Sequence, residues 1–246
     1  MANRKDRRAS GIKNQKQEQI IALLKTARAL SHARNKTEAD KNYQAAIRLD
    51  PTNRNALLDY GLHAYQSGEF KMARLMFTEL VKHYPIDCSG LVGLAMTEIE
   101  FGERERAFEL VERIMSLKPS AQVVAKIGLM YRNDGDLEKA REYLQLAMKL
   151  DPEYPTPYFH LNTIKNFSAD DEDFANLKKL AAKTGGMTEN QKIMLQYALG
   201  KAHMDMGDLD ASFKHYTEAN RLRRASGSPA SNITRRRTVC AGLPAA

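Results

Sequence analysis

The sequence predicts an all-α fold, a right-handed α-α superhelix of about six helix pairs. Three columns of residues support this prediction because each recurs with the same period. Alanines keep the period at Ala39, Ala73, Ala107 and Ala140. Glycines keep it at Gly68, Gly102 and Gly135. Prolines recur every 33 or 34 residues, at Pro51, Pro85, Pro119 and Pro152. A period of this length is typical of stacked helix–turn–helix units.

The chemistry of each column indicates its place in the unit. A glycine ends the first helix of a pair because it adopts a left-handed backbone conformation at low cost. An acidic residue follows each of these glycines, at the start of the second helix, where the exposed N–H groups favour negative charge. The alanine lies where the two helices cross closely. The proline ends the second helix and opens the next unit.

In chain order we expect pairs at 17–50, 51–84, 85–118, 119–151, 152–187 and 188–224. The first pair has no glycine at its turn, and Thr37 is the predicted N-cap of its second helix. The fifth pair is degenerate, with a run of four acidic residues at 170–173 that starts its second helix. Thr188 and Gln191 form a capping-box signature that opens the sixth pair.

The net charge of +8 is concentrated at the two ends of the chain. Residues 1–16 carry six Lys or Arg and one acid, and residues 219–246 carry six Arg and no acid, which leaves −3 for residues 17–218. We therefore expect a basic disordered tail at 1–16 and an Arg-rich disordered tail at 225–246. A nucleic-acid-binding protein usually carries its basic residues on the folded face. A basic-tailed nucleic-acid-associated protein is therefore only a second alternative, with weak attraction of the tails to nucleic acid or to anionic surfaces.

The sequence predicts a cytoplasmic protein without a membrane span. The two cysteines, Cys88 and Cys240, match no metal or redox spacing, so we expect unpaired thiols in a reducing compartment. The apolar run 20–24 is too short for a signal peptide, and no stretch approaches the roughly 18 apolar residues of a membrane helix. We also expect no catalytic residue, no cofactor and no metal, because no nucleophile, phosphate-loop or metal-ligand spacing is present.

The columns and their spacing resemble the tetratricopeptide repeat family over roughly residues 17–224. The unit from Val124 to Pro152 has the best match, with Gly128, Gly135 and Ala140 in their expected places. The resemblance implies a helical solenoid that binds proteins or peptide segments and is not an enzyme. The leading prediction is therefore a non-enzymatic interaction or scaffold module.

A second resemblance concerns the last pair. Residues 197–202 and 219–224, with Gly207 and Asp208 between them, resemble the final repeat of bacterial proteins that join a tetratricopeptide arm to a sulfotransferase domain. That family implies a G-x-P-R-S-G-T loop that holds 3′-phosphoadenosine 5′-phosphosulfate, and this sequence has no such loop. The resemblance implies, as an alternative function, a truncated or accessory arm of a sulfotransferase. The tail after Arg224 is then either a frameshifted or truncated end or an ordinary disordered one.

The predicted binding surface is the inner, concave face of the first helices. Its middle is aliphatic and aromatic, whereas repeat proteins that clamp a partner's terminal carboxylate place Lys, Asn and Arg there. A clamp for a chaperone tail is therefore not expected. Two interpretations stay open, a groove for a partner segment and a buried wall of a tight superhelix. The predicted groove residues are Leu58, Leu62, Tyr65, Val92, Met96, Ile99, Leu129, Arg132, Tyr197 and Lys201.

Overall fold

The computed structural model describes the backbone of residues 4–226 and the side chains of residues 14–226. Within that range the chain forms twelve α-helices and no strand, which confirms the all-α prediction. The first eight helices and the last two pack as consecutive pairs. The chain divides into two compact units, Met1–Tyr154 and Pro155–Ala246.

The first unit contains four helix pairs. In each pair the first helix packs along the second, and the first helices also contact one another as neighbours. This arrangement places equivalent positions of the period side by side. The helices are α1 (Arg4–His32), α2 (Lys36–Leu49), α3 (Arg54–Gln66), α4 (Phe70–His83), α5 (Cys88–Glu100), α6 (Arg104–Ser116), α7 (Ala121–Asp134) and α8 (Leu137–Leu150).

Left-handed residues form the turns within these pairs, as the sequence predicts. Gly68, Gly102 and Gly135 have φ angles of 75°, 79° and 93°. In the first pair Arg34 takes this conformation, with φ of 60°. The predicted cap Thr37 is wrong, because α2 already begins at Lys36 and Asn35 accepts a hydrogen bond from the backbone N–H of Glu38.

Close packing explains the alanine column and two of the helical glycines. All four column alanines are fully buried. A Cβ atom added at Gly61 would lie 2.7 Å from the ring of Phe77, and one added at Gly93 would lie 2.4 Å from it. The glycines therefore let the Phe77 side chain of α4 fit against both α3 and α5. This ring lies in the core of the first unit, with no solvent exposure.

The second unit contains the degenerate pair and the last pair. Its helices are α9 (Pro155–Leu161), α10 (Glu172–Ala181), α11 (Glu189–Asp205) and α12 (Leu209–Ala225). Asp171 caps α10, which confirms that the acidic run starts this helix. The capping box of Thr188 and Gln191 is also confirmed at the start of α11. The segment between α9 and α10 is held by Lys165, whose ammonium group lies 2.5 Å from Asp171 and 2.8 Å from Asp173.

The two predicted tails differ in outcome. The expected disordered tail 1–16 is helical from Arg4 onward, as part of α1. Its Arg, Lys, Ala and Gln residues favour helix, and it contains no proline. At the other end α12 extends to Ala225, and residues 227–246 of the expected tail lie outside the described residues.

Candidate functional site

Equivalent positions of the period lie on α3, α5 and α7, which are neighbouring helices of the first unit. Leu58, Leu62 and Tyr65 follow one another at helical spacing on α3, and Met96 and Ile99 stand 34 residues after Leu62 and Tyr65 on α5. Leu129 and Arg132 occupy the corresponding positions of α7. Because α5 contacts both α3 and α7, these positions lie on adjacent helices. We call this surface the first-helix face, with the members Leu58, Leu62, Tyr65, Met96, Ile99, Leu129 and Arg132.

Burial separates the predicted groove residues into two groups. All members of the first-helix face are partly exposed. Val92, by contrast, is 2% exposed and belongs to the core, so it offers no surface to a partner. The physical reason is that α5 packs more extensively on α4 than α3 packs on α2, so Val92 is covered whereas the equivalent Leu58 is not.

Tyr65 is held firmly within this face. Its hydroxyl donates a hydrogen bond of 2.8 Å to Oε1 of Glu100, and its ring meets Phe70 edge-on with 5.5 Å between centroids. Burial and the Glu100 carboxylate raise the pKa of the phenol above its usual value. The hydroxyl is therefore neutral and already paired. A partner would meet chiefly the apolar surface of the ring.

Charged side chains lie at both borders of the first-helix face. On the α1 side, Arg28 forms an ion pair with Asp59 at 2.6 Å, which links α1 to α3. On the α7 side, Arg132 is partly buried, and burial lowers the pKa of its guanidinium group. The middle of the face is aliphatic and aromatic. An apolar centre with a polar rim is the usual composition of a protein interface.

The two remaining predicted residues, Tyr197 and Lys201, belong to the second unit and lie one turn apart on α11. The hydroxyl of Tyr197 donates a 2.8 Å hydrogen bond to Asn220, and the guanidinium of Arg223 lies 5.1 Å from the centre of its ring. The ammonium of Lys201 pairs with the carboxylate of Asp205. Both side chains therefore already have partners within the second unit.

Polar contacts between helix pairs were not predicted from the sequence. In one, the carboxylate of Glu98 is fully buried and pairs with the guanidinium of Arg74 through bonds of 3.0 and 2.6 Å. In another, Nδ1 of His63 lies 2.7 Å from the Ser31 hydroxyl and Nε2 lies 3.3 Å from Asp40. The His63 side chain is only 5% exposed, which leaves a substrate no access to it. We assign this group to helix packing.

Two classes of site are absent from the described part of the chain. Among residues 14–226, no three His, Cys, Asp or Glu side chains lie together in a group that could hold a metal ion. None of the helices between Arg4 and Ala225 combines the length and the apolar character that crossing a membrane requires.

Comparisons with known proteins give one consistent family. Two models described as tetratricopeptide repeat match the chain, one over residues 24–87 and the other over residues 121–154 and 195–226. Together they cover more than half of the chain.

Similar proteins share low identity with this chain. Human tetratricopeptide repeat protein 6 is 22% identical over 66% of this chain and 31% of its own length. Anaphase-promoting complex subunit 3 of Schizosaccharomyces pombe is 24% identical over 78% of this chain and 29% of its own length. The chain thus spans less than a third of these curated relatives. The solved structure of Pseudomonas aeruginosa pilF has a TM-score of 0.54 at 16% identity, covers 87% of this chain and 96% of its own, and indicates the same fold.

Proposed function

The chain belongs to the tetratricopeptide repeat family, and we propose that it is a non-enzymatic scaffold that holds a segment of a partner protein on the first-helix face. The observation that carries this proposal is the exposure pattern of α3, α5 and α7. Large apolar side chains at equivalent positions are partly exposed on adjacent helices, although each helix has ample core positions for apolar residues. Contiguous exposed apolar surface rimmed by charge is typical of an interaction site.

Relatives support the class of partner. The Schizosaccharomyces pombe relative is, by its name, a subunit of a multiprotein complex. A partner held in this way would be a protein or peptide segment with apolar side chains at its centre. We expect its affinity to rest on Leu62, Tyr65, Met96 and Ile99, because interface energy concentrates in a few large residues.

The test places a photo-crosslinking amino acid at Met96 on the face and, as a matched control, at Leu75 on α4, which is 52% exposed. We expect a distinct crosslinked protein from position 96 in lysate of the source organism and none from position 75. The Tyr65→Ala and Met96→Ala variants should weaken capture of that protein by about 1–3 kcal/mol. Equal crosslinking from both positions would refute the proposal.

Folding measurements separate this proposal from a buried wall. If Tyr65 and Met96 served mainly as core, each truncation would cost roughly 2–5 kcal/mol of stability. We expect a much smaller loss of melting temperature for Met96→Ala than for the truncation of a fully buried neighbour such as Leu91. A large loss of melting temperature for both Tyr65→Ala and Met96→Ala would favour the interpretation that these residues form a buried wall.

The alternatives gain no comparable support. The matching family models are those of tetratricopeptide repeats, so a truncated or accessory arm of a sulfotransferase rests on the resemblance of the last pair alone. Attraction of basic tails to nucleic acid rests on sequence charge alone. The cytoplasmic location stays a prediction from the cysteine content. Cys88 is a free thiol, and burial raises its pKa.

A further inference from the structure

Three hydroxyl groups of the sequence follow two consecutive arginines, with one residue in between. They belong to Ser10, Ser226 and Thr238. The two serines stand in the same five residues, Arg-Arg-Ala-Ser-Gly, at 7–11 and at 223–227. Of the three hydroxyls, that of Ser226 lies within the described side chains. Its geometry therefore shows what surrounds a hydroxyl of this kind.

Ser226 ends α12 and lies at the surface of the second unit. The residue is exposed and is the C-cap of the helix, with φ of −75° and ψ of −5°. Its hydroxyl donates a 2.9 Å hydrogen bond to the backbone carbonyl of Arg223, and its N–H donates a 3.0 Å bond to the carbonyl of Leu222. Both bonds lie within the last turn of α12. Opening of that turn alone would therefore release residues 222–226 as an extended segment.

The charged residues next to Ser226 in the sequence are all basic. Residues 219–233 contain Arg221, Arg223 and Arg224 and no acid. The guanidinium of Arg223 lies 5.1 Å from the centre of the Tyr197 ring on α11, and Arg224 is exposed. Two guanidinium groups at a fixed distance before a hydroxyl suit a cleft with acidic side chains, because each guanidinium can bind a carboxylate through two hydrogen bonds. This pattern fits the substrate of a protein kinase with an acidic cleft.

Two other serines lack one part of this arrangement each. Ser67 is also an exposed C-cap, with φ of −85° and ψ of 0°, but the ten residues before it contain no Lys or Arg. Ser31 stands three residues after Arg28, but its hydroxyl lies 2.7 Å from Nδ1 of His63, and Arg28 is itself in an ion pair. Among the described side chains, Ser226 alone combines an exposed hydroxyl with two arginines at this spacing.

We propose that Ser226 accepts a phosphoryl group from the magnesium complex of a nucleoside triphosphate, in the acidic cleft of a protein kinase. The bond between Oγ and the γ-phosphorus forms while the bond from that phosphorus to the β–γ bridging oxygen breaks. The nucleoside diphosphate leaves, and the hydroxyl proton passes to a carboxylate of the kinase. Arg223 and Arg224 bind the acidic side chains of the cleft. The site lies outside the first-helix face, so this proposal and the proposed function can fail separately.

A phosphate on Ser226 would change the end of α12. It replaces the proton that bonds to the carbonyl of Arg223, and it adds about two negative charges beside the last carbonyl groups of the helix. Negative charge is unfavourable at a helix C-terminus. The phosphate also competes with the ring of Tyr197 for the guanidinium of Arg223. We therefore expect the last turn of α12 to open, and Tyr197, one of the predicted groove residues, to lose this contact.

The test uses the full chain with Ser10→Ala and Thr238→Ala, which leaves Ser226 as the one hydroxyl after two arginines at this spacing. The chain is incubated with magnesium ATP and either the purified catalytic subunit of cyclic-AMP-dependent protein kinase or lysate of the source organism. Mass spectrometry then locates the phosphate. We expect modification of Ser226 from both sources. Arg223→Ala and Arg224→Ala should each lower the initial rate at least about tenfold, whereas Arg221→Ala, outside the spacing, should leave it unchanged.

Ser67 is the internal control and should stay unmodified, because it has the same exposure and backbone conformation without the arginines. Arg224 is exposed, so Arg224→Ala should keep the melting temperature of the parent chain even if Arg223→Ala does not. Hydrogen exchange of residues 219–226 should be faster in the phosphorylated chain. The proposal is overturned if either source leaves Ser226 unmodified, if Arg224→Ala is modified as fast as the parent, or if Ser67 is modified equally. Unchanged hydrogen exchange would refute the opening of the last turn.

Discussion

Replacement of Arg74 by Met should destabilise the first unit because it removes the main ion-pair partner of the buried Glu98. The Glu98 carboxylate has no solvent exposure, and Arg74 supplies both of its short bonds, at 3.0 and 2.6 Å. Removing one member of a buried ion pair typically costs about 3–5 kcal/mol, because the remaining charge stays desolvated.

Two features place this pair at the lower end of that range. The Arg74 side chain is 32% exposed, so water can approach the vacated position. Arg106 also has a guanidinium nitrogen 3.8 Å from the Glu98 carboxylate. In the Arg74→Met variant, Arg106 would therefore still stabilise part of the Glu98 charge. We therefore expect a loss of about 3 kcal/mol in the free energy of unfolding for Arg74→Met. Glu98→Gln should cost less, because the freed Arg74 can reach solvent.

The assay is a double-mutant cycle with Arg74→Met, Glu98→Gln and the double variant, followed by urea unfolding and far-ultraviolet circular dichroism. Hydrogen exchange of α4 and α5 peptides localises the effect to the first unit. The double variant should be about as stable as Glu98→Gln alone, so the coupling energy should equal the loss for Arg74→Met, about 3 kcal/mol. Additive effects of the two substitutions would refute the reasoning. Arg106→Ala serves as control, with an expected change below about 1 kcal/mol.

Three further predictions concern packing and pH. Gly93→Ala should cost about 1–3 kcal/mol, because its Cβ would lie 2.4 Å from the Phe77 ring. Gly185→Ala, where a Cβ meets no atom within 4 Å, should be neutral in the same thermal melts. Val92→Ala should lower the melting temperature and leave partner capture by the first-helix face otherwise intact, since Val92 is core. Burial and the neighbouring His203 lower the pKa of His215 below 6.5, so the folded state binds fewer protons than the unfolded state. Stability of the second unit should therefore fall as pH drops from 7.5 to 5, and His215→Gln should reduce that dependence.

The sequence predicts those features of the fold that depend on one residue type. A positive φ at a helix end is costly for most side chains, so the glycine column identifies Gly68, Gly102 and Gly135 as turns. The first pair lacks that signal. There Arg34 takes the left-handed conformation and Asn35 caps α2, and local sequence offers no reason to prefer Asn35 over Thr37.

The candidate site could be predicted in position but not in exposure. The period places Leu58, Val92 and Ala125 at equivalent positions, yet their burial differs, because it depends on neighbours that are distant in sequence. The contacts between pairs were missed for another reason. Aspartate, arginine and phenylalanine occupy the same position in successive units, so no column of one residue type reveals it. The contact can be recognised only when the residue that it meets on the next first helix is also considered.

The variation at this position has a consequence for the order of the pairs. If the pair that begins with α5 followed α2, Thr97 would take the place of His63 opposite Asp40. The adjacent, fully buried Glu98 would then lie without Arg74 and near a second carboxylate. Each contact therefore favours its own neighbour and opposes others, which is how specificity between similar surfaces is usually achieved. Phe108 selects an aromatic ring, Tyr131, in this way.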